Sequence, residues 1–227
     1  MNSVSLGLFV GLVSASILFF VCFIIFSSLT YKRRFNETYD PRNHFPYEYN
    51  FDGGFKENIL GNICLIFAIL FSMGSYAIAS GYFFENGNVL FAIISGLFFC
   101  VTVLFVNFVP LKLLRFHVIS AIISFVAAFV TPSAIGLAAF NSYKVTNNPF
   151  TLVVMIMSIT IAVFFFAVVM NPRLSLKIQM IVGKDKDGNE KYIRPKYIVF
   201  GLSEWFINFG LIASNLLFLL LIISFLQ

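Results

Sequence analysis

The sequence predicts an all-α integral membrane protein with six transmembrane helices in one bundle. Two observations carry that reading. Of the 227 residues, 59% are hydrophobic and 11% charged, against about 25% charged in a soluble domain, and the mean hydropathy is +0.93. That much apolar surface cannot be buried inside one small globule, so the solvent around it must be apolar too. The apolar residues also fall into six separate runs, each near the roughly 20 residues that a helix needs to cross the hydrocarbon. None alternates with period two, which argues against a transmembrane β-barrel.

The first run, 4–29, follows only Met-Asn-Ser-Val-Ser and ends on Lys32-Arg33-Arg34. With no basic n-region and no small-residue cleavage site, it reads as a retained helix rather than a signal peptide. The second and third runs, 59–84 and 89–110, are joined by the tight turn Glu85-Asn86-Gly87-Asn88. The fourth, 113–140, carries Pro132 at its middle, where a kink is expected, with Thr131 or Ser133 covering freed carbonyls. The fifth spans 150–170, after a polar turn at 141–149. The sixth, 198–226, holds Asn215 deep in the hydrocarbon, where it needs an interhelical partner.

Two connections are long. Loop 1, about 30–58, is polar and aromatic; loop 5, about 171–197, is basic. Within loop 5 the β-prone runs Lys177–Val182 and Lys191–Pro195 flank Asp187-Gly188, which predicts a small β-hairpin. Fourteen of the fifteen Lys and Arg residues lie in loops 1, 3 and 5, with Lys144 alone on the other side. The positive-inside rule then predicts loops 30–58, 111–116 and 171–197 in the cytoplasm and both termini outside. The formal net charge of +5 is therefore read as topology, with membrane lipids rather than nucleic acid as partner.

The candidate site residues follow from cost. Glu204 is the one acidic residue inside any apolar run, and a carboxylate at the bilayer centre costs about 2.5–3.5 kcal/mol on insertion scales. It must face the bundle interior and find a partner. Asn208 lies one helical turn further along the same face. His117 opens the fourth helix on the same membrane side, so a His–Glu pair across helices 4 and 6 would suit a polar headgroup or a proton relay. Trp205, Tyr47 and Asp52 complete the expected ligand-binding set, and Lys112 and Arg115 are expected to meet headgroups. The three cysteines, Cys22, Cys64 and Cys100, lie in apolar runs with no zinc spacing, and no nucleophile elbow, Walker loop or HExxH occurs. No metal or cofactor is expected, and enzyme chemistry is the less favoured reading.

Three patterns occur in an order that resembles the six-helix DRAM family, which includes relatives that remodel GPI lipids. Phe45-Pro46-Tyr47-Glu48-Tyr49-Asn50-Phe51-Asp52-Gly53, followed by Glu57 and Leu60-Gly61-Asn62, is similar to that family's first-loop pattern F-P-Y-I-S-D-x-G, acidic residue and F-G. His117-Val-Ile-Ser-Ala121 with Phe125 resembles the opening of its fourth helix, and Glu204-Trp205 its sixth. The Ile-Ser after Pro-Tyr is missing and Asp52 is shifted. The family is generally drawn with loop 1 outside, the reverse of the charge count. The resemblance implies a lipid-linked role, with loop 1, His117 and Glu204 gathered near one face. Three functions are thus expected in competition: a non-enzymatic protein that binds or organises lipid, an accessory subunit of a larger membrane complex, and a small proton-coupled transporter using Glu204.

Overall fold

Among the described residues, six helices are long and apolar enough to cross a membrane. The structure, a computed structural model, describes residues 3–50, 54–109, 113–171, 181–184, 190–193 and 197–226. The helices are α1 (Ser3–Phe35), α2 (Ile59–Phe83), α3 (Gly87–Phe108), α4 (Leu114–Thr146), α5 (Pro149–Val169) and α6 (Val199–Ser224).

Two helix ends differ from the sequence reading. α1 runs on past residue 29 through Lys32-Arg33-Arg34 to Phe35, and α4 runs past residue 140 to Thr146, shortening the expected polar turn to two residues. The cause is that backbone hydrogen bonding does not stop where apolar side chains stop. Polar residues beyond the hydrocarbon continue a helix until a special backbone conformation ends it. Asn36 (φ 55°) and Asn147 (φ 52°) do so here, both left-handed, the conformation that Asn tolerates best after Gly. Pro149 then opens α5, with the Asn148 side chain accepting from the Phe150 N–H at 2.9 Å. α4 continues through Pro132, and Ser133 donates to the Phe129 carbonyl at 2.8 Å, whereas Thr131 turns across to the Ser95 carbonyl of α3 at 3.1 Å.

α6 is the hub. It packs against α1, α3, α4 and α5, and meets α2 through the Tyr76–Phe218 ring pair (centroids 4.7 Å apart). Close approach depends on small residues: a side chain at Gly96 would overlap the Tyr76 ring, and one at Gly210 the Phe165 ring. At mid-bundle the Asn215 side-chain N–H donates to Ser72 Oγ at 2.6 Å beside the Ser16–Ser72 hydroxyl pair at 2.7 Å, whereas its Oδ1 has no hydrogen-bond partner. Tyr76, fully buried nearby on α2, has a hydroxyl with no hydrogen-bond partner. Tyr76→Phe is therefore expected to leave the thermal midpoint unchanged or raise it slightly, because it removes a desolvated group that gains nothing on folding. A clear fall in midpoint would show that the hydroxyl is satisfied after all.

Between α5 and α6, strands β1 (Ile181–Lys184) and β2 (Glu190–Ile193) pair antiparallel, with Ile181 opposite Ile193 and Lys184 opposite Glu190. The Asp187-Gly188 turn lies outside the described residues. Loop 1 (residues 36–58) folds over the ends of α3 and α6 through two 3-10 turns, Pro46–Asn50 and Gly54–Asn58, and is tied to the start of α6 by the Ile198 N–H donating to the Arg42 carbonyl at 2.8 Å.

Candidate functional site beneath loop 1

Glu204 is the sixth residue of α6 and His117 the fourth of α4, so both stand within two turns of the membrane side that loop 1 covers. Both are fully buried, and His117 Nε2 lies 2.8 Å from Glu204 Oε1. The other ring nitrogen, Nδ1, is 2.8 Å from the Val109 carbonyl just past α3. A carbonyl accepts and cannot donate, so Nδ1 carries a hydrogen. One proton then lies between Nε2 and Oε1. The pair is imidazolium–carboxylate or imidazole–carboxylic acid, and both forms are net neutral, which is how a buried carboxyl is tolerated here. Glu204 Oε2 has no partner.

Buried amides extend from this pair. Asn208 donates to the Glu204 carbonyl at 3.1 Å and accepts from Asn107 of α3 at 2.8 Å. Asn107 also donates to the Val103 carbonyl at 2.8 Å, while its own carbonyl accepts from Asn50 of loop 1 at 3.2 Å. Asn50 in turn accepts from Asn62 of α2 at 2.5 Å, and Asn62 donates to the Phe55 carbonyl at 3.0 Å. Each amide donates to at least one backbone carbonyl, so none can be flipped without opposing two acceptors. The network thus joins α2, α3, α4, α6 and loop 1.

Loop 1 seals it. The rings of Phe45 and Tyr47 each stand 6.4 Å from the His117 ring. Tyr39 stacks on Tyr49 (centroids 4.0 Å), accepts from the Trp205 indole N–H at 3.1 Å and donates to the Phe45 carbonyl at 2.7 Å. Burial, foremost, and the neighbouring Tyr49 push the Tyr39 hydroxyl well above the ordinary tyrosine value, against the opposing Trp205 N–H, so it keeps the proton it donates. Tyr31 and His44 add a hydroxyl–imidazole bond at 2.9 Å. At the exposed rim, hydrogen bonds from Arg42 hold the Asp40 carboxyl down to about 2.

Of the residues singled out from sequence, His117, Glu204 and Asn208 share one network; Trp205 turns to loop 1, and Tyr47 lies on His117. Arg115 is exposed at the start of α4. Asp52 and Lys112 lie outside the described residues. Tyr39, Tyr49, Asn50, Asn62 and Asn107 were not among the expected site residues. The signal that marks the amides is an Asn in an otherwise apolar stretch at the loop 1 end of each of two helices. Among the described residues no group of three His, Cys, Asp or Glu side chains is placed to hold a metal. Comparison with protein-family models, with curated proteins and with solved structures returns no match.

Proposed function

We propose that this protein binds lipid at the loop 1 end of its bundle, without catalysing a reaction. One observation carries the reading: a groove of about 450 Å³ runs between α2 and α3, lined by Ile66, Leu70, Val101 and Phe105, and bounded at its loop 1 end by the stacked rings of Phe55 and Phe108 (5.9 Å). A second groove, about 260 Å³, lies between α3 and α4 and shares Val101 and Phe105. Both are apolar slots along the membrane-facing surface, suited to acyl chains. Lipid tails are as apolar as Leu, so a groove by itself gains packing but little selectivity. Selectivity falls to polar groups at the groove's end, where the amide network and loop 1 lie. The resemblance to the DRAM family points the same way. In this reading the charge count puts loops 1, 3 and 5 in the cytoplasm, which labelling of a cysteine introduced at Asn36 from either side of sealed vesicles tests.

Val101→Trp fills both grooves from an exposed position and is expected to remove most of the lipid that copurifies in mild detergent, with the fold kept. Undiminished lipid would overturn the proposal. The single proton held between His117 and Glu204 favours a second reading, proton-coupled transport. Flux of a solute in liposomes that follows a pH gradient and stops in Glu204→Gln would support it; flux indifferent to pH would remove it.

A further inference from the structure

Resting on the lipid reading, we propose that the junction of α3, α4 and α6 recognises a primary ammonium group, that of an aminolipid headgroup. Two buried oxygens in the network have no partner: Glu204 Oε2 and Asn107 Oδ1. Both belong to residues no more than 1% exposed. Neither arises from a reversible amide, because Asn107 is fixed by its donations to Val103 and Asn208. What remains at the junction is acceptor capacity without a donor, and each such atom carries a desolvation penalty until a donor arrives.

The class of ligand follows from chemistry. A primary ammonium brings three N–H donors and one positive charge. A trimethylammonium head brings the charge but no donor. A phosphate would set its oxygens against these oxygens, and no described Lys or Arg side chain takes part in the network. Calcium and magnesium ask for about six oxygens, more than are free here. The His117–Glu204 pair is net neutral in either form, and in the imidazolium–carboxylate form part of the Glu204 negative charge lies on the unpartnered Oε2. The groove supplies the approach: Phe108, at its loop 1 end, is the residue next to Asn107, and Phe55 gives its carbonyl to Asn62. An acyl chain seated between α2 and α3 thus brings its headgroup to the loop 1 end of the bundle, the end at which the network lies.

The test uses the full chain in nanodiscs of equal parts ethanolamine-headgroup and choline-headgroup phospholipid with matched chains. Protein is extracted in mild detergent and retained lipid is quantified by mass spectrometry. The wild type is expected to enrich the ethanolamine lipid at least about tenfold, the lower end of the scale for one charge-assisted hydrogen bond. Glu204→Gln and Asn107→Leu each bring the ratio towards that of the mixture, whereas Val101→Trp lowers total lipid. Loss of enrichment when free ethanolamine is added would mark the ammonium alone as ligand, and enrichment that survives would mark the lipid-borne headgroup; both uphold the site. Equal retention of the two lipids by the wild type, as when water alone occupies the junction, overturns it without any variant, and so does enrichment that persists in both variants. Groove-dependent lipid without headgroup preference defeats this inference only; a wild type that retains no lipid defeats the lipid reading with it.

Discussion

Replacing His117 by Leu is expected to destabilise the protein by about 3–5 kcal/mol, the scale seen when one partner of a buried charged pair is removed. The substitution leaves the Glu204 carboxyl fully buried with neither oxygen bonded, and it also orphans the Val109 carbonyl that Nδ1 now satisfies. Glu204→Leu should cost less, because it removes the group that is hardest to bury, while the imidazole left behind can be neutral and keeps its bond to Val109. The double variant His117→Leu/Glu204→Leu should recover most of the loss, since replacing both members of a buried pair by apolar groups is often nearly neutral. Reversible unfolding in mixed micelles, followed through Trp205, measures all three. If the double variant falls by the sum of the singles, the two residues are not coupled and the pair contributes no special stability.

That ordering of costs also explains what was legible in the sequence. Glu204 stood out because the bilayer makes a carboxylate conspicuous, and the membrane side of His117 followed from counting helices. The six spans were legible for the same reason: the hydrocarbon demands about 20 apolar residues of each. The helix ends were not, because Thr30–Phe35 and Asn141–Thr146 keep helical hydrogen bonding outside the apolar layer, where composition stops reporting on it. The amides were only half legible. An Asn near a helix end is cheap and common, and nothing local says that Asn107 will meet Asn208, 101 positions away, or that Asn50 of loop 1 will join them. Loop 1 was the least legible element. Its path is set by aromatic packing on α1 and α6, and an aromatic residue in a loop carries no periodicity from which its partner could be read.

Trp205 is where that packing concentrates, and Trp205→Ala is expected to cost about 3–5 kcal/mol, as for other buried Trp and Phe truncations. The indole is 1% exposed and touches the rings of Phe23 on α1, Tyr39 and Tyr49 of loop 1, and Phe209 one turn along α6. Its N–H is also the donor that Tyr39 accepts while holding the Phe45 carbonyl. Truncation therefore does more than leave a cavity. It takes away the surface on which residues 39–49 lie, so loop 1 should open on its own before the bundle does, as a local unfolding unit. Limited trypsinolysis reads this directly: cleavage after Arg42, slow in the wild type, should become fast in Trp205→Ala. Trp205→Phe keeps most of the apolar area and loses only the donor, so it should cost about 1 kcal/mol and change cleavage little. Tyr39→Phe removes the other half of the same relay and should not add fully to Trp205→Phe, because both break one Trp–Tyr bond. Should Arg42 be cut at the wild-type rate in Trp205→Ala, loop 1 is held by its backbone tie to Ile198 and by the amide network instead. The His117–Glu204 pair would then stay sealed when the aromatic cluster is lost.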